Sequence, residues 1–365
     1  MNSWHDRRIL DLFGIDLPIL QAPMAGVSTP EMAIAVAEAG GLGALACAQL
    51  SVEQARTDLA TIHAATRSPL NVNFFCHTPP APEPTRIAAW RTLLAPYYRE
   101  FGLDPDAPIP ETNRVPFDEA FCALMEEAKP EVVSFHFGLP APALLDRVRA
   151  TGAKILSSAT TVAEARWLEE RGVDAIIAMG LEAGGHRGNF LSEDIGLQSG
   201  TFALVPQVVD AVKVPVIAAG GITDARGIVA ALGLGASAVQ IGTAYMLTPE
   251  AKLTDSHRKA LRNAGEHHTL LTTLFTGRPA RGFVNRIMRD LGAINPAAPS
   301  FPLAAGALQP LKAKAEQAGS GDFTNLWSGQ AASLAREMTA AELTRRLAAE
   351  AFETLETLAR APAAH

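Results

Sequence analysis

Short, almost continuously apolar runs recur through residues 1–250, separated by stretches in which apolar positions return every three to four residues. An unbroken apolar run suits a strand covered on both faces, and the intervening period suits a helix packed by one stripe. Eight runs are found: Leu17 to Gln21, Leu42 to Leu45, Leu70 to Phe74, Val132 to His136, Lys154 to Ser158, Ala175 to Met179, Val216 to Gly220 and Ala238 to Gly242. This alternation predicts an α/β fold, a (β/α)₈ TIM barrel with a parallel sheet.

The helices carry their own punctuation. Thr29 before Pro30 reads as an N-cap with proline at the first helical position, and Thr161 with Glu164 reads as a capping box. Gly40 with Gly41, Gly172 and Gly233 fall where helices must end. Two regions exceed a minimal barrel. Residues 76–130 open with Pro79, Pro80, Pro82 and Pro84 and are too long for one crossover, so they read as an insertion after strand 3, beside the active-site face. Beyond Pro249 no further strand is evident. Residues 251–365 read as a mostly helical C-terminal segment on the substrate side, where Thr339 and Glu342 open an amphipathic helix with Leu343, Leu347, Ala351, Leu355 and Leu358 on one stripe.

With 365 residues, 48% of them hydrophobic, the chain can bury a large core. A net charge of −7 offers no basic footprint for nucleic acid or a membrane surface, which leaves a small molecule as the expected partner. The three cysteines, Cys47, Cys76 and Cys122, are far apart and form no CxxC pair, so neither a disulfide framework nor a metal site is expected. His5, Asp6, Arg7 and Arg8 stand where a signal peptide would be apolar, and no run reaches bilayer length; the expected location is the cytoplasm. The sequence does not fix the oligomeric state.

Barrel enzymes draw reactive groups from the C-terminal ends of strands and often hold phosphate after strands seven and eight. Gly220-Gly221 ends the seventh run, and Gln240-Ile241-Gly242-Thr243 the eighth. Either motif alone would only make a tight turn, but both together, at those two places, point to phosphate binding, helped by the dipole of a helix opening near Thr223 and Asp224. Gly180 to Gly188, reading GLEAGGHRG, follows the sixth run and is the most specific stretch. Its glycines, Gly184 and Gly185 among them, imply a loop wrapped around a ligand, and His186 within it can abstract a proton or steady an anion. Arg187 and Glu182 read as structural, paired with each other or with helix ends.

Ala22, Pro23 and Met24 leave the first strand as a small apolar segment that either lies flat against a flavin-like ring or is a plain strand exit. Asn71 and Asn73 share one face of the third strand, for a cofactor or for a structural network. His136 at the mouth end of strand four is a second candidate for the substrate site. The His267-His268 pair falls in the helical segment and carries no chemistry.

Taken in order, QAPMAG, NVNFF, SFHFGLP, GLEAGGHRG, AAGGI and QIGT resemble the nitronate monooxygenase family, formerly nitropropane dioxygenases. TGRPARG, Asn285-Arg286 and LWSGQA near the end are similar to the tail of its class I members. The resemblance implies FMN without a metal. Asn71, Gly184, Gly185, Gly220, Gly221 and Gln240 to Thr243 would contact it, Ala22, Pro23 and Met24 would line its ring, and His186 would be catalytic. It further implies oxidation of alkyl nitronates such as propionate 3-nitronate with O₂, through a flavin semiquinone, to a carbonyl compound and nitrite. Two positions depart from the family pattern: Met179 stands where glutamine usually contacts the flavin, and Phe301, on the substrate side, where tyrosine is common. Two other functions fit the same residues. One is an NAD(P)H-dependent FMN reductase of this fold, a quinone reductase or enoyl reductase; the other is a flavin-free barrel that binds a phosphorylated ligand.

Overall fold

A computed structural model describes residues 4–112, 114–266 and 268–360. Eight parallel strands form the barrel wall. They are β1 (Ile19–Gln21), β2 (Gly43–Ala46), β3 (Leu70–Phe75), β4 (Val132–His136), β5 (Lys154–Ala159), β6 (Ala175–Met179), β8 (Val216–Ala219) and β9 (Ala238–Ile241), with the two-residue β7 (Gly185–His186) outside the wall. The sheet runs β1-β9-β8-β6-β5-β4-β3-β2. Its ends meet where Leu42 N donates to Ile19 O at 3.0 Å and Gln21 N donates to Leu42 O at 3.0 Å. The strands fall within two residues of the apolar runs, and their β-branched and aliphatic side chains, including Val72, Val133, Ile155, Ile177, Ile217 and Val239, are buried in the main core.

Helix boundaries follow from the caps, with two differences. Thr29 accepts from Met32 N and Thr339 with Glu342 makes a complete capping box. Thr161 accepts from Glu164 N, but the Glu164 carboxylate does not return to Thr161. It is buried and accepts from Thr160 N (2.7 Å), Phe190 N (2.6 Å) and Leu191 N (3.2 Å), binding the loop after β6 instead. Gly233 is the last helical residue and not the terminator; the left-handed turn lies at Gly235, with φ +94°.

The expectation of no strand beyond Pro249 is corrected. β10 (Thr269–Thr272) and β11 (Ala280–Phe283) form an antiparallel hairpin, and β11 pairs in turn with β7, His186 opposite Ala280. These runs are short and broken by Thr272, Arg281 and Gly282, so they lack the apolar continuity that marked the barrel strands. His268 immediately precedes β10 and is not on a helix; His267 lies outside the described residues.

The insertion and the C-terminal segment share a second core. Trp90, Leu94, Tyr97 and Tyr98 of helix Pro84–Glu100 pack with Leu308, Leu311 and Phe323, and Tyr98 OH donates to Ala307 O at 2.7 Å. The last helix, Ala340–Ala359, returns to the barrel: Leu343, Leu347 and Ala351 join the main core, while Leu355 and Leu358 stay 37% and 63% exposed. Among the described residues no helix is long and apolar enough to cross a membrane.

Because Leu347 is almost fully enclosed, Leu347→Ala is expected to lower the unfolding free energy by about 2–5 kcal/mol in urea titrations. A loss under about 1 kcal/mol would show that the last helix is not part of the cooperative core.

Candidate active site

A cavity of about 540 Å³ opens at the C-terminal ends of the strands. Ala22, Pro23 and Met24 form one part of its wall, Met179, Gly184 and Gly185 another, and Gly220, Gly221, Gln240, Gly242 and Thr243 a third. His136 and His186 also face it. Three expected residues do not line it. Asn71 lies two residues nearer the start of β3, buried below the cavity with neither amide atom partnered. Asn73, one pleat higher, lines the cavity and donates to Ser134 Oγ at 2.9 Å. Ile241, on the strand face opposite Gln240, is buried in the main core. Phe301 stands behind the wall, its ring 5.3 Å from that of His186.

The loop after β8 takes left-handed backbone at Gly220 (φ +109°) and Gly221 (φ +72°), which side chains rarely tolerate. Among the described residues the N–H groups of Gly221 and Ile222 have no acceptor. The helix that follows does not offer its first amides, because the Asp224 carboxylate caps Arg226 N and Gly227 N. Any anion here therefore meets the loop N–H groups and not the helix end.

His186 owes its orientation to β7. Successive strand residues point to opposite sides, so His186 faces the cavity and Arg187 the interior. Arg187 is fully buried; its guanidinium donates to Gln198 Oε1, Gly180 O and Met179 O, each at 2.8 Å. It does not pair with Glu182, whose carboxylate accepts from Thr201 N and Oγ1 (2.8 and 2.9 Å) at the start of helix Thr201–Ala211. His186 Nε2 lies 3.0 Å from Thr276 Oγ1, a hydroxyl able to donate or accept, and Nδ1 has no partner among the described residues. The rings of Phe75, Phe137 and Trp327 surround the imidazole at 6.0, 6.2 and 5.5 Å.

His136 has both ring nitrogens engaged. Nδ1 meets Ser158 Oγ at 2.7 Å, and Nε2 donates to His186 O at 3.3 Å. It therefore ties the backbone of His186 to the end of β4 while its ring lines the cavity. The contact needs Gly188, where a Cβ would stand 2.8 Å from His136 Cε1.

Charge is distributed unevenly. Among the described residues the cavity wall includes Arg114, Lys252 and Lys312 and no aspartate or glutamate, in a chain whose net charge is −7. Burial, then Arg114, His136, Arg278 and His77, hold the His186 pKa well below the ordinary 6.5. Burial likewise takes His77 and His257 to about 4 and His136 to about 3. All four imidazoles are thus neutral at pH 7. Arg278, its guanidinium 4.1 Å over the Phe137 ring, keeps its charge with a pKa lowered by burial to about 10. Arg114, His77, Thr276 and Lys312 were not singled out from sequence; only Thr276 sat in a motif that marked it.

The chain matches the nitronate monooxygenase family model over residues 6–350. The chain belongs to the nitronate monooxygenase family. It is similar to a nitronate monooxygenase of Pseudomonas aeruginosa, 43% identical over 94% of this chain and 98% of the relative, and to one of Paraburkholderia phytofirmans, 42% identical over 96% and 97%. Among solved structures it resembles a nitroalkane oxidase from Streptomyces ansochromogenes, with TM-score 0.87 and 39% identity over 96% of this chain and 99% of the other. It also resembles FabK from Thermotoga maritima, with TM-score 0.74 and 27% identity over 98% and 99%. Family membership makes the chain an oxidoreductase acting on a small molecule.

The neutral imidazoles have a stability consequence. Their folded-state pKa values lie below the unfolded value near 6.5, so unfolding takes up protons as pH falls below 6.5. Stability then rises with pH across the window from about 4 to 6.5. Urea titrations at pH 5 and pH 7 should show a marked loss at pH 5; equal stability would mean that these rings charge freely in the fold.

Proposed function

We propose that this chain is a cytoplasmic, FMN-dependent enzyme that oxidises alkyl nitronates such as propionate 3-nitronate with O₂, giving a carbonyl compound and nitrite. The observation that carries this reading is the cavity wall: cationic and neutral donors without a carboxylate, closed around a neutral His186. Such a wall favours anionic ligands, and both FMN and a nitronate are anions.

The residues present fit FMN. Gln240 lines the cavity with its buried Oε1 unpartnered, as an amide awaiting a ring donor would be. The unpaired N–H groups of Gly221 and Ile222, with Gly242 and Thr243, would hold the phosphate. Ala22, Pro23 and Met24 would flank the ring, joined by Gly184 and Gly185, and Asn71, whose two buried amide atoms are unpartnered, would be a further contact. Met179, without an amide, offers only its apolar side chain. FMN held there would supply the redox chemistry, as the electron acceptor between the nitronate and O₂.

The chain's own residues position and balance charge. In the tautomer with hydrogen on Nδ1, His186 donates to a nitronate oxygen while Nε2 accepts from Thr276 Oγ1. In the other tautomer Nε2–H donates to Thr276, and Nδ1 can take a proton from the carbon of a neutral nitroalkane. The Thr276 hydroxyl donates to Arg278 O at 3.4 Å in the second arrangement and turns its one hydrogen to Nε2 in the first. Phe75, Phe137 and Trp327 keep bulk water away from the reacting atoms.

The same residues fit a second reading, an NAD(P)H-dependent FMN reductase of this fold. Anaerobic mixing separates the two: bleaching of the flavin by nitronate alone supports nitronate oxidation, whereas rapid bleaching by NADH or NADPH and none by nitronate would replace it. His186→Asn should retain FMN while losing at least ~100-fold in turnover; loss of the flavin would reassign the residue to cofactor binding. Gly221→Phe should yield apoprotein, since the left-handed backbone and the phosphate contact are both lost. A variant that kept FMN tightly would misplace the phosphate site.

A further inference from the structure

Arg114 comes from the insertion between β3 and β4 and lines the cavity, half-buried. Its approach is fixed on both sides. Pro110 lies against Gly306, where a Cβ would stand 2.5 Å from Pro110 O, and Phe117 N donates to Phe75 O at 2.8 Å. The Arg114 backbone also hydrogen-bonds His77, whose ring packs edge-on against Phe301 at 4.8 Å.

The guanidinium itself has no carboxylate or carbonyl partner among the described residues. Lys312, by contrast, is shared between Asn325 Oδ1 at 3.3 Å and Glu316 at 3.9 Å, and Lys252 is exposed at the rim. Arg114 is thus the cation left open toward the interior, close enough to His186 to disfavour its protonation. A desolvated guanidinium without a counter-ion is costly, and its planar fork matches a carboxylate held by two parallel hydrogen bonds.

We infer that Arg114 is the specificity residue for nitronates carrying a second anion, holding their carboxylate while His186 and Thr276 meet the nitronate group. This rests on the proposed nitronate oxidation, and deepens it. A nitronate has one negative charge to place at His186, so the additional full charge at Arg114 selects a dianion. Phe75, which also lines the cavity, offers apolar wall for a short methylene spacer.

The test compares FMN-loaded wild type, Arg114→Met and Arg114→Lys on propionate 3-nitronate and on propyl 1-nitronate, which lacks the carboxylate. Arg114→Met should lose about 10- to 150-fold in kcat/KM on the carboxylated substrate, the range of a charge-assisted pair, and no more than about threefold on the other. Arg114→Lys should recover part of the loss. Succinate, a near-isosteric dianion, should inhibit propyl 1-nitronate oxidation competitively in wild type, with an inhibition constant at least ~10-fold weaker in Arg114→Met. Equal losses on both nitronates, or an unchanged succinate constant, would overturn the assignment. Should wild type oxidise neither nitronate, the proposed reaction fails on its own; calorimetric binding of succinate still judges Arg114, with binding lost in Arg114→Met supporting it and equal binding refuting it.

Discussion

The pairing of β7 with β11 is the constraint on which the site depends. GLEAGGHRG contains enough glycine to adopt many loops, and in isolation nothing would fix the direction of its histidine. Two residues of ladder to Ala280 and Arg281 make His186 a strand residue, with one side to the cavity and the next side chain inward. The same hairpin carries Thr276 to within hydrogen-bond distance of His186 Nε2. The C-terminal segment is therefore part of the active site and not an appendage. Gly329 extends this, its N–H donating to Thr243 Oγ1 at 2.9 Å beside the end of β9.

Electrostatics follows from that packing. Arg187 is fully buried, with three neutral acceptors and no carboxylate on its donors. Taking such a charge from water is expensive, and carbonyl oxygens at the end of β6 offset only part of it. What the fold gains is a positive region behind the loop that carries His186. Arg278 and Arg114 add to it, and the same cations together with burial keep His186 neutral. A neutral imidazole can donate to or accept from a ligand according to tautomer, which an imidazolium cannot do.

The barrel was legible because its strands are covered on both faces and read as continuous apolar runs; Val132 to His136 and Ala175 to Met179 match residue for residue. The glycine loops were legible because left-handed backbone and close approach leave few alternatives to glycine. β10 and β11 were not, since their pairing is set by tertiary contact with β7 and their own residues lack apolar periodicity. Asn71 and Asn73 share a face, so a period of two could not separate them; the structure pairs the Asn73 amide with Ser134 and leaves that of Asn71 without a partner. Arg114 and His77 carry no motif. They matter through where the insertion returns, which one-dimensional spacing does not encode.

Nitrite release coupled to oxygen uptake, measured when FMN-loaded protein is given propionate 3-nitronate, tests the central claim most directly. A yellow protein that consumes O₂ only when the nitronate is present and releases nitrite as it does so is the predicted result. A protein that binds no flavin, or a flavin-loaded protein that leaves both O₂ and the nitronate untouched, would contradict the account.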